Sequence, residues 1–229
     1  MIFLHEVHKV VGPKERDFEA AIRDELRAIF GVDDRARLLW YLHQAHGTGP
    51  AYTVITITAF SDAAAWHDMA VRFHAGDLRG FASELDQLRH GVTGKLLLPT
   101  RWSPMEPPDM AALNQPVEHE PTLYMEDTGW PHDGMLDDYY QLLGDLYAPM
   151  LKGSKLLELQ AAFQPAYGTG RRAEIVLWQK ILDHQGLLRL LESEPPHAYP
   201  EESWMVQALK VRDQWESRLL RTAPWSPLS

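Results

Sequence analysis

The chain repeats itself at the scale of a domain, and that repetition limits what it can fold into. Gly47-Thr48-Gly49 returns as Gly168-Thr169-Gly170, 121 residues later, and Trp102-Ser103-Pro104 returns as Trp225-Ser226-Pro227, 123 residues later. The flanks follow: Leu96-Leu97-Leu98 parallels Leu219-Leu220, and Phe60-Ser61-Asp62 parallels Ile181-Leu182-Asp183. Solenoid and propeller repeats have periods of roughly 20–50 residues, so the unit here is a whole domain. The expected division is a first repeat over 1–104, a Pro-containing linker over 105–120 and a second repeat over 121–229. Each repeat is long enough to bury a core of its own.

Local patterning gives both repeats the same element order. In the first, β-formers fill 2–10, Gly12-Pro13 breaks the strand, and Phe18, Ile22, Leu26, Ile29 and Phe30 mark a helix over 14–30. Strands over 37–45 and 52–60 flank the Gly-Thr-Gly turn, Ser61-Asp62 caps a helix to about residue 74, and a second helical stretch over 77–90 leads to a strand at 92–98. The second repeat reads as strands 121–128, 156–163, 173–181 and 217–222, with helices 132–150, 183–193 and 201–216. β-α-β-β-α-β is the ferredoxin-like unit. One sheet face in such a unit lacks helices, so the expected fold is α+β: a tandem duplication whose two antiparallel sheets pack face to face as an intrachain α/β barrel, helices outside.

Composition narrows function mainly by exclusion. A net charge of −10 without a basic stripe argues against nucleic acid. The absence of cysteine removes disulfides, thiolate nucleophiles and iron–sulfur clusters. No apolar run approaches the roughly 18 residues of a membrane span, and residues 1–6 do not resemble a signal peptide. A cytoplasmic protein without membrane contact is expected, with a homodimer as one possible assembly. The histidine spacings give no metal site.

Strand alternation sorts the candidate site residues. Sending the more apolar set of each strand toward the helices turns Glu6, His8, Tyr41, His43, Thr56 and Thr58 toward the space between the sheets. At an offset of 120–121 the second repeat contributes Tyr124, Glu126, Thr128, Gln160, Ala162, Leu177 and Gln179 to that face, leaving Met125, Leu159, Ala161 and Trp178 for the helices. Glu6, His8, Tyr41, His43 and Glu126 are the expected catalytic groups. The carboxyls would act as acid or base, the histidines as proton carriers and the tyrosines as oxyanion donors. Thr56, Thr58, Tyr124, Gln160 and Gln179 are expected to bind substrate. Against this stand structural readings: Glu6 and Glu126 as ion-pair partners, and His8 and His43 as hydrogen-bonded packing residues.

Three segments resemble a known family. Ile2 to Ile22 with Gly12-Pro13-Lys14 is similar to the opening of NIPSNAP-type proteins of the dimeric α/β-barrel superfamily. Glu174 to Ile181 followed by Asp183 resembles that family's third strand entering its second helix, and 97–104 and 219–227 resemble its last strand and tail. The resemblance implies a barrel with its cavity between sheets, in a superfamily of cofactor-free monooxygenases, isomerases, lyases and haem enzymes. The leading expectation is a cofactor-independent enzyme acting on a small organic substrate by general acid–base proton transfer. The asymmetry of His8, Tyr41 and His43 against Thr128, Ala162 and Gln164 favours it. Alternatives are a non-catalytic small-ligand carrier and a haem-binding barrel with His67, His74 or His184 as axial ligand.

Overall fold

The computed structural model describes residues 1–192 and 198–229. The first repeat contains β1 (Ile2–Val10), helix α1, β2 (Ala36–Gln44), β3 (Thr53–Phe60), α2 (Ala63–Ala75), α3 (Arg79–Leu88) and β4 (Arg89–Pro99). Helix α1 runs from Glu15–Ala20 through a π-helical stretch, Ala21–Leu26, into Arg27–Phe30. The second repeat has β5 (Leu123–Pro131), α4, β6 (Leu157–Pro165), β7 (Ile175–Ile181), α5 (His184–Leu191), α6 (Trp204–Leu209) and β8 (Arg212–Thr222). Helix α4 has the same construction as α1, with Leu136–Leu142, π-helical Leu143–Tyr147 and Ala148–Leu151. The fold class is α+β, a tandem pair of ferredoxin-like units. Strand order is β4-β1-β3-β2 in the first sheet and β8-β5-β7-β6 in the second.

The duplication extends to single hydrogen bonds. In both turns a glycine takes a left-handed conformation, Gly47 at φ +80° and Gly168 at φ +82°. The following threonine hydroxyl closes each turn, Thr48 onto the Ala45 carbonyl at 2.7 Å and Thr169 onto that of Ala166 at 2.8 Å. Asp62 and Asp183 cap the next helices through the Ala65 and Gln185 amides. The same bulge interrupts β2 between Leu38 and Trp40 and β6 between Leu159 and Ala161.

The compact units do not follow the repeat boundaries. One consists of Met1–Leu98, Glu106–Thr122 and Leu220–Ser229; the other of Pro99–Met105 and Leu123–Leu219. Each repeat's Trp-Ser-Pro tail therefore completes the other unit. Ser226 Oγ accepts from the Tyr41 amide at 3.1 Å, and Ser103 Oγ accepts from the equivalent Ala162 amide at 3.0 Å. Alongside, the Ala223 amide donates to the Tyr41 carbonyl and the Thr100 amide to that of Ala162. The segment expected as a linker is anchored in the first unit, where Arg37 Nε donates to the Met110 carbonyl at 2.7 Å.

Two sequence expectations change. The helix expected over 201–216 is shorter, Trp204–Leu209, and β8 begins at Arg212. The last strand of the first repeat likewise begins earlier than expected, at Arg89. The last residue of the helix expected over 183–193 lies outside the described residues, and that helix runs over His184–Leu191.

The second change is larger: the expected facing of the first sheet is reversed. His8 packs on Phe18 of α1 with ring centroids 5.1 Å apart. Tyr41, Leu38 and Val54 share a core with Phe18, Ile22 and Leu26. Register places Glu6 opposite Thr56 and Leu4 opposite Thr58, on that same helix-covered face. The physical reason lies in the opposite face, where Phe3, Leu42, Ile55, Ile57 and Ala59 are buried and more uniformly apolar. The helix side tolerates polar side chains because Arg89, Glu15 and Glu19 supply partners there.

Candidate functional site

In the first unit the helix-covered face carries a polar cluster around His8. Arg89 Nη1 donates to His8 Nδ1 at 2.9 Å, and His8 Nε2 lies 3.0 Å from Thr56 Oγ1. Arginine can only donate, so the imidazole proton sits on Nε2 and Thr56 accepts it. Burial, reinforced by the Arg89 and His5 charges, pushes the His8 imidazole down to about 3. His8 is thus held neutral and does not exchange protons near neutrality. Burial raises the Glu6 carboxyl above its ordinary range, and the Arg89 charge offsets part of that. His43 bridges Glu15 at 3.3 Å and Glu19 at 3.6 Å on α1, and Trp225 Nε1 donates to Glu19 at 2.6 Å. The Tyr41 hydroxyl is buried without a hydrogen-bond partner, and burial pushes it well above the usual phenol range.

In the second unit the expected residues divide between faces. Tyr124 stacks on Trp178 at 5.7 Å, and Glu126 pairs across from Trp178 on the face away from the helices. Glu126 is 2% exposed, with Arg218 Nη1 at 3.7 Å. Gln160 occupies the bulge position of β6. Gln179 lies on the helix side, opposite Met125 and Leu159. Trp178 and Ala161, expected to face the helices, lie on the other side with Glu126.

Glu126 faces away from the helices as expected, but it is not the counterpart of Glu6. β1 and β5 superimpose at an offset of 121, so Asp127, and not Glu126, is the counterpart of Glu6. Gln179 Nε2 donates to Asp127 Oδ2 at 2.9 Å, and the Tyr147 hydroxyl donates to Gln179 Oε1 at 2.5 Å. Tyr147 closes the π-helical stretch of α4. Such stretches concentrate at functional sites because they re-aim side chains. Asp127 is 6% exposed, and its Oδ1 is buried without a hydrogen-bond partner. Burial pushes its carboxyl up to about 6, against the pull of Ser217, Gln179, Trp215 and the Arg212 charge. Burial likewise pushes Tyr139 up to about 12, against the Arg212 charge.

Arg89 and Arg212 both open the last strand of their repeats, 123 residues apart. The duplication therefore preserves a buried carboxyl beside an arginine on the helix side of each sheet. Sequence reasoning missed Asp127, Arg89, Arg212 and Tyr147. The signal was present in the two offsets, 121 for the first strands and 123 for the last, applied strictly to each strand.

The haem alternative finds poor support in this chain's histidines. His67, His74 and His184 are exposed on the outer helices, whereas a haem requires an apolar pocket around its axial ligand. Among the described residues no group of three or more His, Asp or Glu side chains is placed to hold a metal ion. No helix among them is long and apolar enough to cross a membrane.

No family model matches the sequence, and no curated protein does. Solved structures do. A candidate monooxygenase from Fusobacterium nucleatum is similar over 96% of this chain and 91% of its own, with 10% identity and a TM-score of 0.64. An anthrone oxidase-like protein is similar over 97% of this chain and 91% of its own, with 8% identity and a TM-score of 0.61. A NIPSNAP-like domain protein from Burkholderia xenovorans covers 47% of this chain and 91% of its own, with 22% identity and a TM-score of 0.39. At these identities the whole-chain matches show a shared fold: two ferredoxin-like units in one chain.

Proposed function

We propose that this chain is a cofactor-independent enzyme that moves a proton on a small organic substrate, with Asp127 as the proton-transfer group. The observation that carries the reading is the Asp127 carboxyl at about 6, buried beside Arg212 and in line with the Gln179–Tyr147 pair. A carboxyl in that range is both a competent acid and a competent base near neutral pH. Arg212 can stabilise negative charge developing on a substrate oxygen while Asp127 takes a proton from the neighbouring carbon. Gln179 holds Oδ2, and Ser217 and Trp215 stand close enough to the carboxyl to pull its value down.

Glu6 with Arg89 is the corresponding pair of the first repeat, and His8 fills the space beside it. The asymmetry of the repeats thus favours a single working site, in the second unit. The fold shared with an anthrone oxidase-like protein makes anthrone a suitable carbon-acid probe. Deuterium exchange at its methylene, followed by NMR under anaerobic conditions, should be accelerated by the wild-type protein and return to the buffer rate with Asp127→Asn. Equal rates for wild type, Asp127→Asn and buffer would overturn the assignment.

A further inference from the structure

We infer that a cleft in the second unit, lined by Trp130, Arg171, Arg172, Gln214, Trp215 and Glu216, binds a flat aromatic molecule carrying one negative charge. The cleft measures about 670 Å³. Both indoles have polar partners. Trp130 Nε1 donates to Glu174 at 2.8 Å, and the Arg172 guanidinium lies 5.9 Å from the Trp130 ring. The Trp215 ring lies 5.2 Å from the Arg212 guanidinium, yet remains 46% exposed. Indole faces held in this way offer stacking area at little entropic cost.

The charges in the cleft are not equivalent. Arg172 is engaged by Asp213 at 2.9 Å and Glu216 by Arg218 at 2.8 Å. Arg171 is exposed and has no side-chain hydrogen bond or ion pair among the described residues. It supplies an uncommitted guanidinium to a cleft that two indoles also line, a combination suited to a carboxylate or phenolate on a planar body.

The first repeat shows that the fold does not require this arrangement. The equivalent positions there are Lys9, Pro50, Ala51, Gly91, Val92 and Thr93, with neither an indole nor an arginine. Trp215 also acts on the Asp127 carboxyl, so one residue belongs both to the cleft and to the proposed proton-transfer site. That the bound anion is a substrate rests on the Asp127 reading; that it binds does not.

Isothermal titration of the full chain with 2-naphthoate, and with neutral 2-naphthamide for comparison, tests the cleft. One saturable site per chain is expected for naphthoate. Arg171→Gln should weaken it about tenfold while leaving naphthamide unchanged, and Trp215→Leu should weaken both. The titration reads binding alone, so failure of the Asp127 exchange experiment leaves this inference standing. Absence of saturable naphthoate binding, or equal affinity in wild type and Arg171→Gln, would overturn the inference.

Discussion

The hydroxyl of Tyr139 occupies the place a side chain on Gly129 would need: a Cβ built there would lie 1.9 Å from the phenolic oxygen. The equivalent pair in the first repeat is Phe18 and His8, packed ring against ring at 5.1 Å. The two repeats fill one volume in opposite ways, histidine with phenylalanine or glycine with tyrosine. Gly129→Ala should therefore overpack a buried position and cost about 1–3 kcal/mol. Adding Tyr139→Phe should recover part of that loss, because it removes the clashing oxygen. The denaturant midpoints of the two single variants and the double variant check this, with non-additivity as the expected result.

The neutral state of His8 makes the fold sensitive to acid. Its folded value of about 3 lies below the unfolded value of 6.5, so between the two the unfolded chain binds more protons. Stability from this group is complete above about pH 6.5 and falls as pH drops toward 3, by up to about 5 kcal/mol. His8→Gln should flatten that acid limb in melting temperatures measured across pH 3–7. An unchanged limb would place the acid sensitivity elsewhere.

Asp127 has the opposite sign. Its folded value of about 6 lies above the unfolded 3.8, so its contribution is complete below about pH 4 and is lost as pH rises through 6. Asp127→Asn keeps the Gln179 hydrogen bond and removes the buried charge. It should stabilise the protein at pH 8 by up to about 3 kcal/mol and leave it near wild type at pH 4. Thermal unfolding of both proteins at the two pH values measures the difference.

The exchanged tails predict matched effects from distant substitutions. Ser226→Ala strands the Tyr41 amide and Ser103→Ala strands the Ala162 amide, each at a buried residue. An unsatisfied buried donor costs about 1–3 kcal/mol. Hydrogen exchange should show Ser226→Ala raising exchange at the Tyr41 amide and Ser103→Ala at Ala162. Effects confined to the substituted tails would contradict the exchange.

Much of this architecture was legible in the sequence. The duplication, the strand–helix order, the Gly-Thr-Gly turns and the Asp62 cap follow from local chemistry that tertiary context did not override. The facing of the first sheet did not follow, because both of its faces are buried. Alternation identifies two sets but cannot decide which meets the helices when Phe3, Ile55 and Ile57 compete with Leu4, Val54 and Tyr41. The candidate site suffered from the same ambiguity. Glu126 was preferred over Asp127 by a shift of one residue, which in a strand exchanges the two faces. The cleft of Trp130, Arg171 and Trp215 joins three separate segments and has no short-range signature.

The central claim is that Asp127 exchanges a proton near neutrality, and titration of its carboxyl carbon tests it most directly. In protein labelled with carboxyl-13C aspartate, one resonance absent from the Asp127→Asn spectrum should titrate with a midpoint near 6. A midpoint at or below the ordinary aspartate value of about 3.9 would contradict the account.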